Sequence, residues 1–193
     1  MTGNDIVDMA VAAAESNWRR KGFLEKIFSL QEQEYIKYSS APDEMIWKLW
    51  TMKESAYKIY TRQYSGRFYA PQKFSCTLTS NTDGIVSFNN IVCKTKTIAA
   101  KNYIYSIARP AKDESTTFIN SCFHLPQTQH TEEQQQFIYN KIIARYNSAS
   151  GKAKKNMTVA KDKNGIPFLY CGNDLQIPVS ITHHGHFAAF TIH

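Results

Sequence analysis

The chain has 193 residues, of which 42% are hydrophobic and 20% are charged, with a formal net charge of +7. This composition is typical of a folded globular protein and excludes a disordered chain. No apolar run approaches the ~20 residues that span a bilayer, and the N-terminus lacks the basic segment of a signal peptide, so we expect a soluble, cytoplasmic protein that does not bind membranes.

The positive charge favours anionic partners, namely nucleic acid, phosphate-rich cofactors or acidic proteins, without choosing among them. The four cysteines, at positions 76, 93, 122 and 171, are too far apart for the paired spacing of metal or redox motifs. We therefore expect free thiols with no chemical role.

Short elements are expected in the first forty residues. Residues 6–7 predict a brief strand, and the alanine-rich residues 9–28 predict a helix. Ser29, with Glu32 three positions later, has the capping-box pattern. It predicts a second short helix that ends near Tyr38.

The strongest helix pattern covers residues 44–61, where apolar side chains recur at helical spacing and Asp43 is the expected N-cap. Residues 73–108 are rich in Thr, Val, Ile and Tyr and are broken by polar turns, which predicts three or four antiparallel strands. Residues 111–130 are polar and irregular and are expected to be a linker.

A helix followed by strands is expected again in the last third of the chain. Thr131 is the expected N-cap of a helix that runs to about Tyr146. Strands are expected at residues 157–160, 167–171 and 177–192.

Helices followed by strands, twice over, predict an α+β fold of two similar halves. We place the halves at residues 1–112 and 113–193, although the amino-acid sequence shows no internal repeat.

Acidic and basic residues on the strongest helix have the chemistry of a functional site. Glu54 and Lys58 lie four residues apart, and Trp47 and Trp50 lie on or beside the same face. This favours the wall of a cleft over a simple surface ion pair. Asp5 could complete with Glu54 the kind of oxygen site that Mg²⁺ prefers, although it is equally compatible with a helix cap.

Five segments together resemble the 4′-phosphopantetheinyl transferase superfamily, with closest likeness to its holo-acyl-carrier-protein synthase branch. The segments are GNDIV at 3–7, WTMKESAYK at 50–58, KDKNGIP at 161–167, VSITH at 179–183 and FAA at 187–189. The resemblance reaches both ends of the chain, and its first two motifs correspond to G-x-D and W-x-x-K-E-x-x-x-K.

The resemblance implies a transferase that moves phosphopantetheine from coenzyme A to a serine of an acidic acyl or peptidyl carrier protein. Asp5 and Glu54 would hold Mg²⁺ against the diphosphate, and Glu54 or a metal-bound water would take the serine proton. Lys58, together with Lys53, would neutralise the phosphates as 3′,5′-ADP leaves. Such a division of roles agrees with the physics of phosphoryl transfer, which is mostly positioning and charge neutralisation.

The C-terminal motif implies that Thr182 and His183 contact a phosphate of coenzyme A. His183, His184 and His186 are a poor transition-metal cluster, because successive strand residues point to opposite faces.

Three departures from the family pattern concern charge. Val7 stands where one branch has a third metal-binding acid, so we expect two protein ligands, and Val11 replaces an arginine of the synthase branch. Ile166 replaces the lysine of the G-K-P turn. Its phosphate contact is then lost or comes from a cation elsewhere in the second half, for which the candidates are Lys152, Lys163 and Arg145.

The length implies a pseudodimer, a monomer built of two family-like units. Because the metal motifs come first and the G-x-P and T-H motifs last, we hypothesise that the halves are in reversed order relative to the surfactin-type enzymes. Two alternatives are a non-enzymatic nucleic-acid-binding protein and an inactive family member. The scattered Lys and Arg residues and the lack of a nucleic-acid-binding motif disfavour the first, and Ile166 is the only hint of the second.

Overall fold

The structure is a computed structural model that describes residues 1–64, 68–113, 118–127, 130–151, 156–172 and 175–193. Five helices are described: α1 Met9–Glu15, α2 Phe23–Ile27, α3 Leu30–Lys37, α4 Pro42–Gln63 and α5 Thr131–Ser150. The strands of the first half are β1 Gly3–Asp8, β2 Ser75–Leu78, β3 Asp83–Phe88, β4 Ile91–Ala99 and β5 Tyr103–Pro110. Those of the second half are β6 Ile119–His124, β7 Met157–Lys161, β8 Pro167–Cys171, β9 Leu175–His184 and β10 Phe187–Ile192.

The strands form two five-stranded antiparallel sheets with the same internal connectivity. The order is β1-β5-β4-β3-β2 in the first sheet and β6-β10-β9-β8-β7 in the second. In each sheet the first strand leads into helical structure, and the last strand returns to pair with the first. The α+β fold of two similar halves is therefore confirmed. The proposed boundary at residue 112 lies between β5 and β6 and stays a prediction, as does the reversed order of the halves.

Helix α4 organises the first half through one apolar face. Pro42 occupies its first turn, where the missing N–H of proline costs nothing. The face packs on the first sheet through side chains that are at most 1% exposed, namely Ile46, Leu49, Met52, Ala56 and Ile59. This spacing of three and four residues is the helical periodicity from which the element was predicted.

The two halves meet along β1. Thr2 donates a side-chain hydrogen bond of 2.9 Å to Thr191, and the backbone N–H of Asn4 donates to Ser180 Oγ at 3.2 Å. A small apolar cluster of Ile6, Tyr105, Phe187 and Ala189 fills the junction. Asp5 therefore lies on β1, the strand through which the first half contacts the second.

Several element boundaries differ from those expected. The helix expected at 9–28 is two helices, because the chain becomes extended at Ser16, the C-cap of α1, and resumes as α2 only after Gly22, which adopts φ +82°. The expected linker at 111–130 contains β6, an edge strand whose side chains are mostly half-buried, so its pattern is weak. Ala41 rather than Asp43 is the N-cap of α4, and His130 rather than Thr131 precedes α5.

The capping box of α3 is present as expected, with Glu32 accepting from the backbone of Ser29 at 2.8 Å. None of the described helices is both long enough and apolar enough to cross a membrane.

Candidate functional site

Asp5 and Glu54 line one cleft of about 500 Å³ between β1 and α4. Trp47 and Trp50 form part of its wall, as the helical spacing predicted. The close approach of the strand to the helix depends on Gly3, because a Cβ at this position would collide with the carbonyl oxygen of Ser55. The glycine of the G-x-D motif thus has a packing role that brings the two acids to the same cleft.

The carboxylate of Asp5 joins three elements. Its Oδ1 accepts a 2.9 Å hydrogen bond from Thr182 Oγ1 on β9 and forms a 3.1 Å salt bridge with Lys58 Nζ on α4. Lys58 also donates to the carbonyl oxygen of Asn4 at 2.7 Å. Three residues expected at the site, one from each of three distant segments, are therefore in direct contact.

Glu54 is a half-buried acid whose carboxylate forms no salt bridge with any described residue. Burial, and secondly the negative charge of Asp5, raise the pKa of Glu54 to about 7, and Lys58 opposes the shift only in part. Among the residues that the structure describes, none forms a hydrogen bond or salt bridge with its carboxylate. This carboxyl group is therefore poised to gain a proton or a cation.

This donor set fits a hard divalent cation such as Mg²⁺. The ion is usually held by one or two carboxylates together with water and substrate phosphates. Within the described ranges no group of three or more His, Cys, Asp or Glu side chains could hold a metal. A cation between Asp5 and Glu54 would thus take its remaining ligands from water and substrate.

His183 stands where two clefts adjoin. It lines the acidic cleft and a neighbouring cleft of about 380 Å³ that Lys161 and Pro167 also line. Partial burial, and then the charge of Lys58, lower the pKa of His183. The lowered pKa favours the neutral imidazole, which can meet a phosphate by hydrogen bonding.

A third cleft, of about 630 Å³, runs from Lys58 to the turn that carries the G-x-P motif. Lys58, Thr61 and Arg62 line it on the α4 side, and Ile166 lies on the turn opposite. Lys58 thus links this cleft with the acidic one, because its ammonium group also contacts Asp5.

Lys53 is not brought to the site as a free cation. Its side chain is 1% exposed and forms a 2.8 Å salt bridge with Glu32. The ammonium group also donates to the carbonyl oxygens of Pro71 and Phe74. A phosphate could reach Lys53 only by breaking these contacts, so its position supports a structural role rather than the phosphate contact that we expected.

Two of the three cations considered as substitutes for the turn lysine are described, and both are exposed. Lys163 is exposed on the turn itself, and Lys152 lies outside the described residues. Arg145 is exposed on α5, about three helical turns beyond Gln135, which lines the cleft of His183. The structure does not place Arg145 beside Asp5 or Lys58.

Asp8 is engaged in holding the backbone. Its Oδ1 accepts from the N–H groups of Ala10 and Val11, which caps α1. Its Oδ2 accepts from the backbone N–H of His186 and contacts the ring nitrogen of that residue at 2.9 Å. The Nδ1 atom of His184 accepts from the backbone N–H of Asp8. Asp8 is therefore committed to structural contacts and is not free to act as a third metal ligand beside Asp5 and Glu54.

Two cations that line the clefts, Arg62 and Lys161, were not among the site residues predicted from the sequence. Arg62 had a usable signal, because it follows Lys58 by four residues and so shares its helix face. Lys161, the last residue of β7, offered no signal of its own, since exposed lysines are common on protein surfaces.

The raised pKa of Glu54 predicts how stability depends on pH without metal. The folded state keeps the proton up to about pH 7, whereas the unfolded chain releases it near 4.5. The free energy of unfolding should therefore fall as pH rises from about 4.5 to about 7. Urea titrations in EDTA should show this fall in the wild type relative to Glu54→Gln, and Mg²⁺ should offset it above pH 7. Equal pH profiles for the two proteins would contradict the assignment.

Comparison with known families supports the geometry. A family model of the 4′-phosphopantetheinyl transferase superfamily matches residues 1–108, which is more than half of the chain. The match includes both acids of the cleft and the whole of α4, and it ends within β5. No curated protein matches the chain.

Proposed function

Because the chain belongs to the 4′-phosphopantetheinyl transferase superfamily, we propose that it transfers 4′-phosphopantetheine from coenzyme A to a serine of an acyl or peptidyl carrier protein. The reaction would depend on Mg²⁺ and take place in the cytoplasm. Val7, in the position of a third acid, favours the holo-acyl-carrier-protein synthase type. The duplicated fold supports action as a monomer.

The observation that carries this proposal is that Asp5 and Glu54 line one cleft and that Lys58 forms a salt bridge with Asp5. Lys58 neutralises the two carboxylates only in part, so they would bind a divalent cation, and the cation would attract a diphosphate. Lys58 supplies a further fixed positive charge where the diphosphate oxygens would lie. Mg²⁺, when bound, would neutralise the charge that develops on the phosphate oxygens.

The protein's own residues would position the reactants. Lys58 is held by Asp5 and by the carbonyl oxygen of Asn4, so its ammonium group is oriented before substrate arrives. Thr182 fixes the carboxylate of Asp5 from the other side. Neutral His183 can donate a hydrogen bond to a phosphate oxygen at the mouth of the cleft. Such preorganisation is the main contribution that a protein makes to phosphoryl transfer.

The bond changes are a single substitution at phosphorus. The serine Oγ forms a bond with the phosphorus that carries pantetheine, and the bond from this phosphorus to the oxygen of 3′,5′-ADP breaks. The serine proton goes to a base, for which the carboxylate of Glu54 is the chain's candidate, with water as the alternative. Lys58 stabilises the negative charge on the departing 3′,5′-ADP.

The test is incubation of apo carrier proteins with coenzyme A, Mg²⁺ and the purified protein, followed by intact-mass measurement. The expected result is the gain of one phosphopantetheine on the carrier, which EDTA prevents. No mass gain on any of several acyl and peptidyl carriers would contradict the proposal. Salt-sensitive DNA or RNA binding without coenzyme A binding would instead favour the nucleic-acid-binding alternative.

A further inference from the structure

Arg62 is a largely buried cation at the wall of the 630 Å³ cleft. Its guanidinium group donates to the carbonyl oxygens of Thr2 and Val179, which belong to different halves of the molecule. Within the part of the chain that the structure describes, no carboxylate forms a salt bridge with it. Buried arginines normally have an anionic partner.

The pKa of Arg62 also indicates that its positive charge is only partly neutralised. Burial lowers the pKa of Arg62 to about 10, and the negative charge of Asp162 opposes this only in part. The group remains charged at neutral pH. Since a guanidinium group has five N–H donors, contacts with two carbonyl oxygens leave donors for a ligand in the cleft.

Arg62 extends the row of positive charge that begins at the acidic cleft. It follows Lys58 by four residues, so their Cβ atoms lie about 5–6 Å apart on one helix face. Lys58 contacts Asp5, whereas Arg62 lies one turn farther toward the G-x-P turn. A ligand whose first phosphate lies at Lys58 could present a second phosphate to Arg62.

Coenzyme A has such a distribution of charge. Its diphosphate would be held by Lys58 and the two acids, which leaves the monoester at the ribose 3′ position as its other anionic group. Ile166 supplies no charge from the turn. We propose that Arg62 binds this 3′-phosphate and makes the protein select coenzyme A over its 3′-dephospho form. This inference rests on the proposed transferase function.

A purely structural role would give a different signature. Arg62 joins Thr2 to Val179 across the junction, so its loss could loosen the cleft for every substrate. Loosening would lower the rate with coenzyme A and with 3′-dephospho-coenzyme A by similar factors. Loss of a phosphate contact would lower only the rate with coenzyme A.

The experiment measures kcat/KM for both substrates with an apo carrier protein, using wild type, Arg62→Gln and Arg62→Lys. Arg62→Gln should lower kcat/KM for coenzyme A about 10- to 100-fold, the range for a hydrogen bond to a charged group. With the 3′-dephospho substrate the loss should stay below about threefold. With coenzyme A, the kcat/KM of Arg62→Lys should lie between those of wild type and Arg62→Gln, since lysine keeps the charge but lacks the planar guanidinium group. If Arg62→Gln does not fold, the inference is tested by the substrate ratio of Arg62→Lys, that is, its kcat/KM for coenzyme A divided by its kcat/KM for the 3′-dephospho form.

Two further variants control for charge. Lys163→Gln removes the exposed cation of the turn, and Lys37→Gln removes one from α3. Neither should change the substrate ratio. Equal losses on both substrates in the Arg62 variants, or a collapsed ratio in Lys163→Gln instead, would overturn the inference.

The wild type separates this inference from the function on which it rests. A wild-type protein that uses both substrates equally would leave the transferase intact and disprove the role of Arg62. A wild-type protein that neither transfers from coenzyme A nor binds it by calorimetry would disprove the transferase itself.

Discussion

Replacing Glu54 with glutamine should lower kcat at least about 10³-fold while the protein remains folded. The substitution keeps the shape of the side chain but removes one of the two negative charges that would hold the cation. Because the Glu54 carboxyl group is half-buried and its pKa is raised to about 7, its ionised form destabilises the metal-free fold. The variant should therefore unfold at an equal or higher urea concentration at pH 8.

Glu15→Gln is the matched control, because Glu15 is an exposed acid that lines the same cleft. It should retain near-wild-type kcat in the carrier assay. Near-normal turnover by Glu54→Gln would refute the metal assignment. Loss of its circular-dichroism spectrum would refute the claim that Glu54 is dispensable for folding.

Lys53→Met should cause the largest loss of stability, about 3–5 kcal/mol in the free energy of unfolding. The substitution leaves the carboxylate of Glu32 buried without its 2.8 Å partner. Urea denaturation monitored by tryptophan fluorescence measures the change. The expected mechanism predicts that Lys53→Met combined with Glu32→Leu recovers much of the loss, because no buried charge then remains.

Arg19→Ala provides the comparison, since it breaks an exposed ion pair with Asp43. Solvent screens such a pair, so its denaturation midpoint should change little. A Lys53→Met protein as stable as wild type, but with weaker coenzyme A binding, would show instead that Lys53 acts on phosphate.

The sequence predicted best where a local pattern and the tertiary packing agree. Helix α4 was expected because its apolar residues recur at helical spacing, and the same residues form the core face. The capping box of Ser29 and Glu32 needs only four consecutive residues, so it too was readable. The first predicted helix ends early, at Ser16, and α2 begins only after the left-handed Gly22, a break that an alanine-rich pattern does not reveal.

Contacts between distant segments were beyond the reach of pattern alone. The motifs named Asp5, Glu54 and Lys58, but only the fold shows that Asp5 and Glu54 line one cleft and that Lys58 contacts Asp5. Lys53 was expected near phosphate because the family resemblance implied that role. Its burial depends on Glu32, twenty-one positions earlier, which no spacing rule connects to it.

The second half shows the same limit. Strand β6 was missed because an edge strand buries little and has a weak pattern. Thr182 and His183 were expected to contact phosphate, and that role stays a prediction. Their positions are instructive nonetheless, because Thr182 reaches Asp5 across the junction and His183 lines the same cleft. Residues of both halves therefore line this cleft.

Binding of Mn²⁺, followed by electron paramagnetic resonance in the presence of coenzyme A, would test most directly whether the first-strand acid and the α4 acid share one cation. Wild type should bind one ion, and Asp5→Asn and Glu54→Gln should each weaken that binding at least about tenfold, whereas Glu15→Gln should not. Wild-type affinity in both variants would show that the two carboxylates do not hold a common metal.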